Sequence, residues 1–139
     1  MKLLYPHKLL FKKAQPINNT ENTKTLEKNM KNTLKIHKGI GLAATQIGTL
    51  KRIIILKVKK KLITITNPKI IYKSVELFPS HEGCLSIPNY FKTIKRHKFI
   101  KIQGEIAHTA IEITVKNNIA ACLQHEIDHL NGKLIKQLT

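Results

Sequence analysis

Apolar residues recur along this chain of 139 residues in two rhythms, one helical and one alternating. Leu26, Met30, Leu34 and His37 fall three and four residues apart, with Glu21 and Glu27 toward the start, Lys35 and Lys38 toward the end and Gly39 as a stop. Side chains three and four apart share a helix face, so this spacing predicts one amphipathic helix. A second helix is predicted over 117–130, with Ile119, Leu123, Ile127 and Leu130 as its inward face. Between the two, 52–57 and 62–66 are β-branched runs joined by Lys59-Lys60-Lys61, and 70–72 and 99–102 read the same way. Antiparallel strands are expected there. Gln103-Gly104 predicts a turn into a further strand over 105–113, and Asn18 to Thr23 reads as a loop.

No repeat or Gly/Ser linker interrupts this pattern, and 42% hydrophobic residues is ordinary for a globular chain, so one domain over 1–139 is expected. A membrane helix needs about 18 uncharged apolar residues, whereas Ile53 to Leu56 is bounded by Arg52 and Lys57. The N-terminus has no apolar segment of the kind that directs secretion. A reducing cytoplasm or organelle interior is therefore expected, with no membrane partner. Charge adds a further element. Lys+Arg 25 against Asp+Glu 8 gives +17, and 23 of those cations are Lys. Lys attracts phosphate as a point charge without the planar fork that reads base edges. RNA or another polyanion is thus a candidate partner without sequence readout; a solvated lysine face fits the composition equally well.

The candidate chemistry lies on the predicted second helix, in Gln124-His125-Glu126-Ile127-Asp128-His129. His125 and His129 are one turn apart, so both imidazoles can reach one ion, and Glu126 can touch a water beside it. At this chain's His and Glu frequencies the H-E-x-x-H pattern arises by chance about 0.02 times per chain. A catalytic ion needs a third protein ligand. No His, Glu, Asp or Cys follows His129, so that ligand must come from upstream. Cys84, beside Gly83 in a turn-rich segment, is the better candidate. Cys122, three residues before His125, is a second candidate whose plainer reading is a small buried residue. A third segment, Gly39-Ile-Gly-Leu-Ala-Ala-Thr-Gln46, could leave backbone open to a substrate chain, and Gln46 offers an amide donor to a developing oxyanion.

These three segments, Gly39 to Gln46, Glu82-Gly-Cys-Leu-Ser86 and Gln124 to Gly132, resemble in order the signatures of the peptide deformylases. Tyr5-Pro6 and Ala14-Gln15-Pro16-Ile17 resemble that family's opening segment, so the likeness spans nearly the whole chain. The resemblance implies an α+β fold, with antiparallel sheets packed around a C-terminal metal-binding helix and one further N-terminal helix. It implies removal of the N-formyl group from the initiator methionine of nascent chains, releasing formate. Cys84, His125 and His129 would hold a divalent ion, with Fe2+ the usual one and Zn2+, Ni2+ or Co2+ able to substitute. Glu126 would be the general acid and base, and Gln46 with the Leu85 backbone N–H would face the oxyanion. Ile40, Gly41, Glu82 and Cys122 would be substrate-binding, with Asn118 and Ala121 near the methionine pocket, and Arg96 would pair with Glu82. Many members continue into another helix after the metal helix; a single catalytic domain lacking that long C-terminal extension is expected here. Two other classes share some of these features, an H-E-x-x-H zinc endopeptidase and a basic RNA-binding module with a structural metal.

Overall fold

The computed structural model describes residues 2–5 and 7–138. Pro6, half of the Tyr5-Pro6 pair, lies outside the described residues. Helix α1 spans Lys24–Ile36 and buries Met30 and Leu34, while His37 is its exposed C-terminal cap. Glu21 sits before the helix and pairs with Lys51 at 2.7 Å. Strands β1 (Gly41–Ala43), β2 (Ile53–Val58), β3 (Lys61–Lys73), β6 (Phe99–Ile106) and β7 (Thr109–Lys116) form one five-stranded sheet in the order β1-β2-β3-β6-β7. All its pairings are antiparallel. Strands β4 (Leu77–Cys84) and β5 (Ile87–His97) form a separate two-stranded sheet. Helix α2 covers Asn117–Leu130.

The sheet has two covered faces. Ile54, Leu56, Ile65, Ile100 and Ile102 meet Ala120, Leu123, Ile127 and Leu130 of α2 in one cluster. Ile53, Ile55 and Leu42 pack with Met30 and Leu34 of α1 and with Leu3 and Ile17 in another. Strand β2 therefore buries both faces, which explains why Ile53-Ile54-Ile55-Leu56 is continuously apolar rather than alternating. Arg52 pins the C-terminal end of α2: its Nη1 donates to the Ala14 and Leu130 carbonyls and its Nη2 to Asn131 Oδ1. These bonds satisfy acceptors that a helix end otherwise leaves open.

Several expectations need correction. Gln103 and Gly104 are not a turn but the interior of β6; the chain reverses at Ala107-His108, where both residues have positive φ (49° and 64°). Gly104 serves close approach instead, because a Cβ there would lie 3.0 Å from Ile65 Cγ2 and 3.1 Å from the Thr66 carbonyl oxygen. The runs 62–66 and 70–72 are not two strands but one, bent through Asn67 at φ 51°. Ile119 is 42% exposed rather than inward-facing, since Ala120 takes the contact with the sheet. The hairpin of β4 and β5 has no alternating apolar signal and was legible only as a turn-rich segment around Cys84.

Gly132, at φ +75°, follows α2 where the Phe11 backbone crosses it, and a Cβ there would lie 2.5 Å from the Phe11 carbonyl oxygen. Gly48, at φ +86°, has open space by comparison, since a Cβ there would lie 4.0 Å from Leu4 Cδ1. Gly132→Ala should therefore lower the unfolding free energy by more than Gly48→Ala. The latter carries only backbone strain of about 1–2 kcal/mol. Urea denaturation of both variants measures the difference.

Candidate active site

The helix and the hairpin meet over a cavity of about 800 Å³. His125, Glu126 and His129 project from α2, and the turn between β4 and β5 brings Cys84, Leu85 and Ser86 against them. Helix α2 is thus buried on both sides, its apolar side by the sheet and its His side by the hairpin. His129 Nε2 lies 3.2 Å from His125 Nε2 and 3.3 Å from Cys84 Sγ. One ligand atom from each of these three residues lies within 4.8 Å of the other two. Cys122 stands outside this triangle, on the cavity wall beside Ile40, and both cysteines are free thiols.

A charged network fixes the orientation of this triangle. Arg96 of β5 donates from Nε and Nη2 to the two oxygens of Glu82, at 2.8 and 2.7 Å, and from Nη1 to Asp128 Oδ2 at 2.6 Å. Burial alone would raise the Glu82 pKa, but the Arg96 and His125 hydrogen bonds overcome it and hold the carboxyl at about 2. An ionised Glu82 can only accept, so His125 Nδ1–H donates to its Oε1 at 2.9 Å and His125 Nε2 faces the triangle. Burial works against a charged His125, yet Glu126, Cys84 and Glu82 raise its basicity to about 10. His129 is pushed the other way, well below the usual imidazole range, by burial first and then by the His125 and Arg96 charges. Two imidazole nitrogens and a sulfur converging there, with a carboxylate fixing the ring behind, fit a divalent ion.

Glu126 stands apart from the triangle's ligand set, fully enclosed, with Oε1 lacking a hydrogen-bond partner. Burial lifts its pKa to about 7, although His125 pulls it down. Gly41 lies against it: a Cβ at Gly41 would come 2.5 Å from Glu126 Oε2 and 3.0 Å from Cys122 Sγ. Gln46 is held rigidly, its Oε1 accepting from the Ala43 N–H at 2.9 Å and its Nε2 donating to Ser86 Oγ at 3.1 Å. That Nε2 also points toward Cys84 Sγ at 3.7 Å. Ile40, Leu85, Cys122, Asn118 and Ala121 all line the cavity. Glu82 lines it too, but both of its oxygens are already taken by Arg96 and His125. Sequence reasoning gave no role to Ser86, which is fully buried and anchors Gln46, or to Asp128, the second acid on Arg96. Asp128 could have been found as an acid within the motif on the face of Gln124.

An α+β chain whose C-terminal helix presents His, Glu and His to a half-buried cysteine has the site of a metal-dependent hydrolase. The family profile described as polypeptide deformylase matches residues 3–138. A peptide deformylase of Buchnera aphidicola (Schizaphis graminum) is 41% identical over 138 residues, 95% of this chain and 81% of the relative. One of Polynucleobacter necessarius is 35% identical over 137 residues, 95% of this chain and 80% of that protein. Among solved structures, the peptide deformylase of Ehrlichia chaffeensis superposes with a TM-score of 0.94 at 32% identity, covering 99% of this chain and 87% of that one. The PDF of the Vibrio parahaemolyticus bacteriophage VP16T, in complex with actinonin, gives a TM-score of 0.92 at 37% identity over 96% and 99% of the two chains. The chain belongs to the peptide deformylase family. It is a deformylase, an enzyme that removes the N-formyl group from nascent peptides.

Arg96 is the shared partner of two acids inside this site. Arg96→Met should leave Glu82 buried without its cation and lower the unfolding free energy by about 3–5 kcal/mol. Arg96→Lys should cost less, because the ammonium keeps the charge while losing the fork that spans both acids. Urea titration of the metal-loaded protein distinguishes the two.

Proposed function

We propose that Cys84, His125 and His129 hold one divalent ion and that Glu126 moves the proton in hydrolysis of the formyl amide. The observation that carries this reading is the triangle of Cys84 Sγ and two imidazole Nε2 atoms, with the buried Glu126 beside it. An ion bound there supplies Lewis acidity to a water and to the formyl oxygen. Glu126, with a pKa near neutrality, takes the proton of the attacking water at its Oε atoms and returns it to the departing amine. Gln46 Nε2, clamped between Ser86 and Cys84, and the Leu85 backbone N–H stabilise the charge that develops on the formyl oxygen. Glu82 and Arg96 orient His125. Ile40, Gly41 and Cys122 form the wall that receives the methionine, with Gly41 kept free of a side chain so that substrate and Glu126 can approach. A thiolate ligand suits a soft, oxidisable ion, which favours Fe2+ over Zn2+, Ni2+ or Co2+.

The whole of 1–139 acts as one catalytic domain in this reading. Among the described residues no helix is long and apolar enough to cross a membrane, which agrees with work in the cytoplasm or an organelle interior. The +17 charge supports docking on ribosomal RNA through lysines.

Cys84→Ala, His125→Ala and His129→Ala should each lose the metal, and Cys122→Ala should keep it, as read by mass-spectrometric metal content of anaerobically prepared protein. Glu126→Gln should retain the metal while formate release from formyl-Met-Ala-Ser falls by about 10²- to 10⁴-fold. Full metal in Cys84→Ala or near-normal turnover in Glu126→Gln would overturn these roles. The lysine surface should bring the protein down with ribosomes at low salt and release it at moderate salt, with peptide hydrolysis little changed. A protein that stays in the supernatant at low salt has no such docking.

A further inference from the structure

The cavity changes character from floor to mouth. Its two carboxylates, Glu82 and Glu126, are both at the floor, and Glu82 is neutralised by Arg96. The mouth is formed by Ile40 and Phe91, 67% and 64% exposed, by Tyr5, and by Lys38. Lys38 has no ion-pair partner among the described residues. Its backbone is fixed: at φ 53° it closes α1, with the Lys38 N–H on the Lys35 carbonyl at 3.2 Å and the Gly39 N–H on the Leu34 carbonyl at 3.1 Å. This is the paired-bond helix terminator whose left-handed position is most often glycine. Here that position carries a cation at the entrance instead.

The distance along the wall sets what that cation can meet. Gly41 abuts Glu126, where the amide is cut, and Lys38 lies three residues back along the chain. The chain turns at Lys38 and bends at Ile40, so this wall is no longer than three extended residues at about 3.3 Å each, and a peptide running along it from the formyl group passes Lys38 within its first three residues.

Resting on the catalytic reading above, we propose that Lys38 is a specificity-determining residue that favours formylated chains with Asp or Glu near the third position. No carboxylate at the mouth opposes the attraction. The mouth is open to water, so the preference is modest and salt-sensitive.

The test compares formyl-Met-Ala-Asp-amide, formyl-Met-Ala-Lys-amide and formyl-Met-Ala-Ser-amide on the metal-loaded enzyme. At low salt kcat/KM for the Asp peptide should exceed that for the Lys peptide by about two- to tenfold, the size of an exposed ion pair gained against one repelled. The ratio should approach one at about 1 M salt. Lys38→Gly, which relaxes the left-handed turn and so should not unfold the protein, should bring the ratio to one at low salt, and Lys38→Glu should invert it. Turnover of the Ser peptide should stay within about twofold in both variants. The affinities of the products Met-Ala-Asp-amide and Met-Ala-Lys-amide, measured by calorimetry, should differ in the same order and do not depend on catalysis. Equal kcat/KM for the Asp and Lys peptides while the Ser peptide is turned over overturns this inference alone, as does a preference that survives Lys38→Glu. Failure on the Ser peptide counts against the catalytic roles instead, and the product affinities then decide the role of Lys38.

Discussion

One buried guanidinium holds this active site in register. Arg96 reaches from the hairpin to Glu82 on the neighbouring strand and to Asp128 on the helix, and Glu82 in turn accepts from His125. The hairpin and helix are far apart in the chain, and no continuous apolar face joins them. Buried charges left unpaired are costly, so the three ionised groups can be satisfied together only when hairpin and helix sit in one relative position. That position is also the one in which Cys84 Sγ comes 3.3 Å from His129 Nε2. The requirement that stabilises the interface and the one that assembles the ligand triangle are the same.

The rest of the scaffold supports this contact from behind. The apolar side of α2 packs on Ile54, Leu56, Ile100 and Ile102, Gln124 exchanges hydrogen bonds with the His97 backbone of β5, and Arg52 secures the helix end. The helix is therefore held on three sides, and His125, Glu126 and His129 project from helical backbone rather than from a loop. Gln46 is immobilised in the same way between Ala43 and Ser86. Preorganised donors of this kind need no reorganisation as charge develops on the substrate. The two arginines are structural pins, while the 23 lysines populate the surface and leave Lys38 at the cavity entrance.

What could be read in advance follows from how local each signal is. The spacing of His125 and His129 fixes their relation within one helical turn, so two candidate ligands and the neighbouring acid were legible without any fold. The helix 117–130 and the β-branched runs were legible for the same reason, since periodicity is written into contiguous residues. The Gln103-Gly104 pair misled, because glycine permits a turn and equally permits a close strand crossing, and only the neighbours Ile65 and Thr66 decide between them. Ile119 misled because a helical stripe drifts, and the sheet ends where Ala120 begins to make contact.

The sequence by itself determined the helix that carries His125, Glu126 and His129, the strands of the main sheet and the set of chemical groups available. Choosing Cys84 over Cys122 as the third member of the cluster, fixing the His125 tautomer through Glu82, and giving Ser86 and Asp128 their tasks were decided by tertiary structure. Each of these depends on two segments separated by tens of residues arriving within a few ångströms. No periodicity or spacing encodes that approach; it is set by the packing of a hairpin on a helix and by the need of a buried arginine for both of its acids.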